Sequence, residues 1–366
     1  MKTLVIHPGL PKTGTCALQV FLARNRAALR DKSVDYFPLG EFSSAAAGRI
    51  SSGNAADLAK ALMPPDHPDT APNPATHFAA LTRAIAASPC QTGLLSSEFL
   101  AGADPDRLRN WVTTLTAAGL TVKSVYFIRG QTQLLSSMYV QYVKRSLCRE
   151  TPEAYVERTY RATPYLHHAS FYKTHAAIFG AGNVTIRLYE DALKTGLIET
   201  FLDAAGICHR NLDTISPTIN TGLSPAELAI MRELNKFRPH TRLSDALVQN
   251  ARQAGTAAPG DIYSFLPADL TAELEDYFAP ENAELAKLYF GREELFGPRA
   301  LSNTPIKIGD FSQTDLVNVL GGLLVRYDER LAHLESQVAA ASTSPLRRLA
   351  RKLTRSPPFV GWVTEA

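Results

Sequence analysis

Cysteine is scarce in this chain. Cys16, Cys90, Cys148 and Cys208 are scattered through 366 residues, with no CxxC pair and no histidine at ligand spacing from any of them. That pattern offers neither a disulfide framework nor a zinc site, and small core residues are the expected role for most of the four. Long apolar runs are missing as well. No uninterrupted stretch reaches the roughly 18 residues that a membrane span needs, and the first residues read as a strand instead of a basic, apolar leader, so the expected location is the cytoplasm. Nor does charge of one sign dominate: 38 basic residues face 35 acidic ones. Between Ser342 and Ala366 stand five basic residues (Arg347, Arg348, Arg351, Lys352, Arg355) and one acidic, Glu365, which leaves 33 against 34 elsewhere. A body this close to neutral argues against nucleic acid as the main partner.

What the chain does hold is an ordinary globular composition, 45% hydrophobic and 20% charged, enough to bury a sizeable core. Strand and helix patterns alternate along it. Leu4, Val5 and Ile6 form a short apolar run; "VDYFPLG", "TGLLSSE", "TVKSVYFIRG" and "NVTIRLYE" read as further extended pieces, with helical patterns before Ala87, through Trp111 and Leu115, and from Gln131 onward. Such alternation calls for a parallel sheet with helices on both faces, an α/β fold. Residues 41–77 are rich in Ala, Ser and Pro and read as an insertion or lid. The expected organisation is an α/β domain over 1–300, a mainly helical C-terminal extension over 301–341, and a basic tail over 342–366.

The stretch "LVIHPGLPKTGTCALQVFLARN" carries the sharpest chemical signal. A loop leaving a strand and entering a helix aims free backbone N–H groups and the positive end of the helix dipole at one point. Gly14 lets the backbone curl around an anion, Thr13 and Thr15 add hydroxyls, and Lys12 adds a mobile positive charge. A Walker A loop would end in Gly-Lys-Ser/Thr, whereas here the lysine precedes Thr-Gly-Thr, and neither "TGLLSSE" nor "SVYFIRG" supplies a Walker B aspartate for magnesium. The order fits a metal-free phosphate loop. A second constellation accompanies it. Arg129 ends a strand, and Ser137 follows eight residues on in the next helix, so a guanidinium fork and a hydroxyl could clamp a second phosphate at the same edge of the sheet.

Together, "HPGLPKTGTCALQ" with Arg129 and Ser137 resembles the sulfotransferase family, which uses 3′-phosphoadenosine 5′-phosphosulfate (PAPS) as donor. "LLSSEFL", "IRGQTQLLSSMYVQYVK", "VTIRLYEDA" and "INTGLSPAELAIMRELN" resemble its bacterial sulfotransferase-like branch, over roughly residues 1–240. The resemblance implies a P-loop-type parallel sheet flanked by helices. It implies that Lys12, Thr13, Gly14, Thr15 and Cys16 hold the 5′-phosphosulfate, that Arg129 and Ser137 hold the 3′-phosphate, and that Tyr189 lies near the adenine. Cys16 departs from the Thr or Ser common at its position, and the Arg-Lys-Gly element of many animal members is not visible.

Sulfuryl transfer to a hydroxyl or amine leaves negative charge on the bridging oxygen of the nucleotide, which Lys12 is placed to neutralise. The acceptor must also lose a proton. Glu98 is the candidate base, by likeness to carbohydrate-modifying relatives, and with it comes the expectation of a carbohydrate or glycolipid acceptor. His7 reads as part of the strand-end turn. His167, His168 and His175 lack the arrangement of a metal site, and no metal is expected. Two other readings suit the same architecture: a phosphotransferase using a nucleoside triphosphate, and a non-catalytic nucleotide- or carbohydrate-binding scaffold. Arg187 and Glu190 read as structural, and Asn220 as a helix cap.

The C-terminal part follows another logic. Leu316, Leu320, Leu323, Tyr327, Leu331, Leu334 and Val338 make an apolar stripe on one helix, a candidate for pairing with a second chain over 316–338 or for covering the main domain. Gly321 and Gly322 weaken it locally. Beyond it, 346–355 is a short basic amphipathic segment suited to peripheral contact with anionic lipid at the inner membrane face.

Overall fold

The computed structural model describes residues 2–71, 73–145, 148–213, 223, 225–237, 245–247, 249, 263–297, 302–303 and 312–342. Asn220 and the basic segment 346–355 lie outside them. The chain begins with strand β1 (Thr3–Pro8), helix α1 (Thr15–Arg24), α2 (Arg26–Asp31) and β2 (Val34–Tyr36). Two short helices follow, α3 (Phe42–Ala46) and α4 (Ala56–Ala61), then α5 (Pro74–Ala87) and β3 (Thr92–Ser97). Next come α6 (Pro105–Ala117), β4 (Thr121–Ile128), α7 (Gln131–Arg145), α8 (Pro152–Thr159), α9 (His168–Phe179) and β5 (Val184–Leu188). Helices α10 (Tyr189–Thr195), α11 (Leu197–Ala204), α12 (Pro225–Phe237), α13 (Ala268–Leu285) and α14 (Gln313–Ser342) follow, and two short strands, Tyr263–Ser264 and Ser302–Asn303, pair with each other outside the main sheet.

The five strands form one parallel sheet in the order β2-β3-β1-β4-β5. Both of its faces are covered, and the central strands β1 and β4 carry consecutive apolar residues, Leu4–Ile6 and Val125–Ile128, whereas β5 (Val-Thr-Ile-Arg-Leu) alternates between buried and half-buried positions. Leu4, Ile6, Tyr126 and Ile128 pack on one side with Leu108, Trp111 and Phe171 from α6 and α9. Val5, Val125 and Phe127 pack on the other with Leu18, Phe21, Leu22 and Phe201 from α1 and α11. A further apolar cluster joins α7, α8, α12, α13 and the start of α14 through Leu135, Tyr139, Met231, Phe278 and Leu323.

Strand β1 sends its chain toward β2, whereas β4 sends its chain the opposite way, toward β5. A crevice therefore opens between them at the carboxyl edge, where ligands bind in open α/β sheets. Of residues 41–77, expected as an insertion or lid, the last four begin α5, and the part around Gly53 and Asn54 is built onto this edge. Asn54 Nδ2 donates to the carbonyls of Phe37 and Leu94, both at 3.0 Å, and its Oδ1 accepts from the Ser96 amide at 2.8 Å. Gly53 is held at φ +89°, and a Cβ there would lie 2.0 Å from the Ser96 carbonyl oxygen. Among the described residues no helix is long and apolar enough to cross a membrane.

Candidate functional site

Strand register brings the candidate residues to one edge. Pro8 pairs with Ser97, and the Gly9 amide donates to the Ser97 carbonyl at 3.0 Å, so Glu98 emerges from β3 beside the Gly9–Gly14 loop. Strand β4 runs past the end of its pairing with β1 and delivers Arg129 to the other side of that loop. Leu188, which pairs with Ile128, hands over to Tyr189 at the start of α10.

The loop itself is tightly wound. Lys12 at φ 60° and Gly14 at φ 78° are both left-handed. A Cβ at Gly14 would lie 2.2 Å from Leu197 Cδ2 and 3.5 Å from the Tyr189 ring, so only glycine fits. For the lysine this backbone costs about 1–2 kcal/mol, a strain tolerated where the surroundings fix the conformation. Helix α1 then starts without a side-chain cap and without an acidic residue in its first turn. The Leu18 amide turns back to the Gly14 carbonyl at 3.1 Å. The amides ahead of it keep the positive end of the helix dipole open to an anion.

The hydroxyls behave differently from the sequence expectation. Thr13 Oγ1 donates to the Leu10 carbonyl at 2.7 Å and Thr15 Oγ1 to the same oxygen at 3.4 Å. Both threonines are buried and brace the loop from inside. Cys16 is half-buried, its Sγ 3.8 Å from the Ser51 carbonyl oxygen. Burial raises its thiol pKa, with the Glu98 charge adding to the rise, so the group is a neutral thiol at physiological pH.

Arg129 meets the loop directly. Its Nη1 donates to the Lys12 carbonyl at 3.0 Å, and its guanidinium lies 5.3 Å from the centre of the Tyr189 ring. Tyr189 is buried between Arg129 and the loop, so its ring supports the guanidinium. His168 Nε2 meets the Arg129 carbonyl at 3.0 Å, and Glu190 accepts from the Gly130 amide at 3.2 Å, which fixes the strand end from behind. Ser137 sits half-buried on α7 and makes no hydrogen bond to Arg129 or to the loop; its neighbour Ser136 is the one engaged, accepting from the Phe265 amide at 2.9 Å.

Glu98 shares its surroundings with Lys12 and a second carboxylate, Glu41. Burial raises the Glu98 pKa above the usual carboxylate range; Lys12 pulls it down and Glu41 pushes it up. Glu41 accepts from the Ser52 amide at 2.7 Å, so the segment before Asn54 carries it to the site. Sequence reasoning missed Glu41, whose neighbours carry no chemical motif. A buried polar chain underlies the same place. His7 Nδ1 meets Ser96 Oγ at 2.9 Å, Gln19 Nε2 donates to that oxygen at 3.3 Å, and Ser51 Oγ donates to Gln19 Oε1 at 3.1 Å. His7 is fully enclosed, and burial lowers its pKa to about 3. It is a neutral core group.

Two cavities adjoin these residues. One, of 320 Å³, runs from Pro11 and Glu98 between the end of α4 and α7. The other, of 570 Å³, lies between the first turn of α7 and α13; Glu275, Glu293 and Glu294 line it, which makes it a poor seat for an anionic nucleotide. Among the described residues no group of three or more His, Cys, Asp or Glu gathers as a metal site.

Neither a family model nor a curated protein matches the chain. Among solved structures it is similar to a sulfotransferase from Alicyclobacillus acidocaldarius, at 15% identity over 79% of this chain and 96% of that one, with a TM-score of 0.45. It is also similar to retinol dehydratase in complex with androsterone and inactive cofactor PAP, at 17% identity, 80% of each chain and a TM-score of 0.29. Retinol dehydratase in a complex with retinol and PAP gives 17%, 80% of this chain, 81% of that one and 0.29. Likenesses this distant leave the chemistry to be argued from this chain's own side chains.

Proposed function

We propose that the chain is a sulfotransferase that moves a sulfuryl group from PAPS to a carbohydrate-type hydroxyl or amine acceptor. The observation that carries this reading is the direct contact of Arg129 with the carbonyl of Lys12, which joins two anion-binding features at the crevice between β1 and β4. A donor with phosphate at both ends of an adenosine suits such a pair. The open first turn of α1 and Lys12 would hold the phosphosulfate, and Arg129, backed by Tyr189, the 3′-phosphate. Cys16 contributes its backbone amide there, and Thr13 and Thr15 stiffen the loop from beneath.

PAPS, when bound, supplies an activated sulfuryl group; the protein supplies charge and position. Lys12 neutralises negative charge gathering on the departing phosphate, and a fixed donor of this kind is worth about 10²–10³ in rate. Glu98, held above the usual carboxylate range, accepts the acceptor's proton and passes it to solvent. Its position next to Lys12 supports that role, and its likeness to the base of carbohydrate-modifying relatives supports the acceptor class.

Calorimetric titration tests the donor assignment. Tight binding of 3′,5′-diphosphoadenosine over ATP is expected, independent of magnesium, with the preference lost in Arg129→Ala and partly kept in Arg129→Lys. Equal affinity for the two nucleotides, or a magnesium-dependent preference for ATP, would refute the assignment. Lys12→Ala should lower sulfuryl transfer by about 10²–10³ with little change in melting temperature.

A further inference from the structure

The cavity beside Glu98 carries information about the acceptor that the donor loop does not. It is 320 Å³, near the lower end of the range for small-molecule sites, and it opens from Pro11, the residue before Lys12. Its walls come from several separate parts of the chain. Met63 follows α4, Phe99 adjoins Glu98, Met138 and Tyr142 stand one turn apart on α7, and Tyr155 comes from α8.

These walls are flat and apolar. The rings of Tyr142 and Tyr155 lie 5.3 Å apart at 35°, and Tyr165 directs its hydroxyl at Met138 Sδ, 3.9 Å away. Burial pushes the Tyr155 phenol up to about 12 and Tyr165 further, so both stay uncharged. Arg158 covers the Tyr142 and Tyr155 rings at 5.4 and 5.5 Å, but its charge is paired with Glu150 at 2.9 Å. Among the described lining residues there is no lysine, arginine or histidine; Lys12 acts on Glu98 from beside the cleft, and Lys60 Nζ lies 5.3 Å from the centre of the Phe99 ring. Glu98 is the lining carboxylate, Glu41 adds to its field, and Gln141 supplies one amide.

We infer that this cleft selects an uncharged acceptor with one hydroxylated edge and one flat apolar face, the chemistry of aryl and alkyl glycosides, and rejects anionic saccharides. The inference rests on the sulfuryl-transfer reading for the reaction, and on the cleft alone for the selectivity. The hydroxylated edge meets Glu98 and Gln141. The apolar face lies on the tyrosines and the two thioethers, soft side chains that adapt to differing aglycones. An anionic acceptor would bring a further negative charge against Glu98 and Glu41, whose combined effect with burial already outweighs Lys12 at Glu98, a penalty that works as selection against the wrong partner.

A matched pair of probes tests it: 4-nitrophenyl β-glucoside and 4-nitrophenyl β-glucuronide, titrated calorimetrically into the full chain saturated with 3′,5′-diphosphoadenosine. The glucoside is expected to bind at least about tenfold more tightly than the glucuronide, and octyl β-glucoside to bind as well. Tyr142→Ala should weaken the glucoside about fivefold or more, Tyr142→Phe should not, and Met138→Lys should shrink the gap between the probes about tenfold, all with unchanged affinity for diphosphoadenosine. Equal or tighter binding of the glucuronide overturns the inference. So does failure of all three glycosides to bind while diphosphoadenosine still binds, which leaves the donor reading standing. Loss of diphosphoadenosine binding in the unaltered chain removes the sulfuryl-transfer reading and the acceptor assignment with it.

Discussion

Lys12 and Glu98 occupy one small volume, and each alters what the other can do. An isolated ion pair would be content with a carboxylate of low pKa, but burial outweighs the lysine here and Glu41 works against it, so Glu98 is held above its ordinary value. The folded protein consequently keeps a proton that the unfolded chain has already released, in the interval between the ordinary and the raised value. Stability therefore falls as pH rises through that interval, and Glu98 is a burden at neutral pH. Glu98→Gln should raise the melting temperature at pH 7–8, with the gain fading as pH drops into the carboxylate range, while lowering kcat by about 10². On the proposed sulfuryl-transfer reading, the acid limb of the unaltered protein's rate profile should lie above the usual carboxylate range. A Glu98→Gln protein that is less stable at neutral pH would mean that the pair with Lys12 is chiefly structural.

Helices and strands were legible to the degree that their apolar pattern is periodic. Strands β1 and β4 stand out as apolar runs and β5 as an alternating one, and the loop with Lys12 and Gly14 stands out because glycine, lysine and threonine fall between a strand and a helix. The Arg129–Tyr189 stack is invisible beforehand, since sixty residues separate the two and only the pairing of Ile128 with Leu188 brings them together. The same holds for Glu41 and Asn54, which lie in an Ala-, Ser- and Pro-rich stretch with no period, and for tyrosines that converge from α7, α8 and the turn before α9. Helix α14 carries the expected stripe, but divided between two environments. Its first turns dock, with Val319 and Leu323 buried in the cluster of α7 and α12, and the helix passes through Gly321 and Gly322 unbroken. From there outward the same stripe is exposed, Leu331 at 58% and Val338 at 68%. Leu323→Ala should cost about 2–3 kcal/mol in urea unfolding, whereas Leu331→Ala should change stability by less than about 0.5 kcal/mol. Equal costs would show that the outer half of the helix is packed too.

A sheet covered on both faces keeps water from its middle, and a titratable group placed there without a charged partner is held in its neutral form. Three histidines are so placed: His7 on β1, His175 against Ser124 of β4 at 3.1 Å, and His168 beneath Arg129. Burial lowers His7 and His175 to about 3, and His168 to about 4, where two backbone carbonyls partly offset the effect. In the unfolded chain each takes up a proton below pH 6.5, but the folded protein declines it until the pH approaches 4 or 3. The unfolded state thus binds more protons across that window, and stability must fall as pH falls through it. Each histidine contributes a limiting slope of about 1.4 kcal/mol per pH unit, so together they amount to about 4 kcal/mol per unit below pH ~5.5. Glu98 acts with the opposite sign over part of the same range, and Glu98→Gln should therefore steepen the decline. Urea unfolding measured at half-unit steps from pH 7 to pH 5 should show stability falling ever more steeply, and His7→Gln should flatten the limiting slope by about a third. A level profile over those two units would mean that the three rings are protonated in the folded protein, and that the core beneath the candidate site is wetter than its packing indicates.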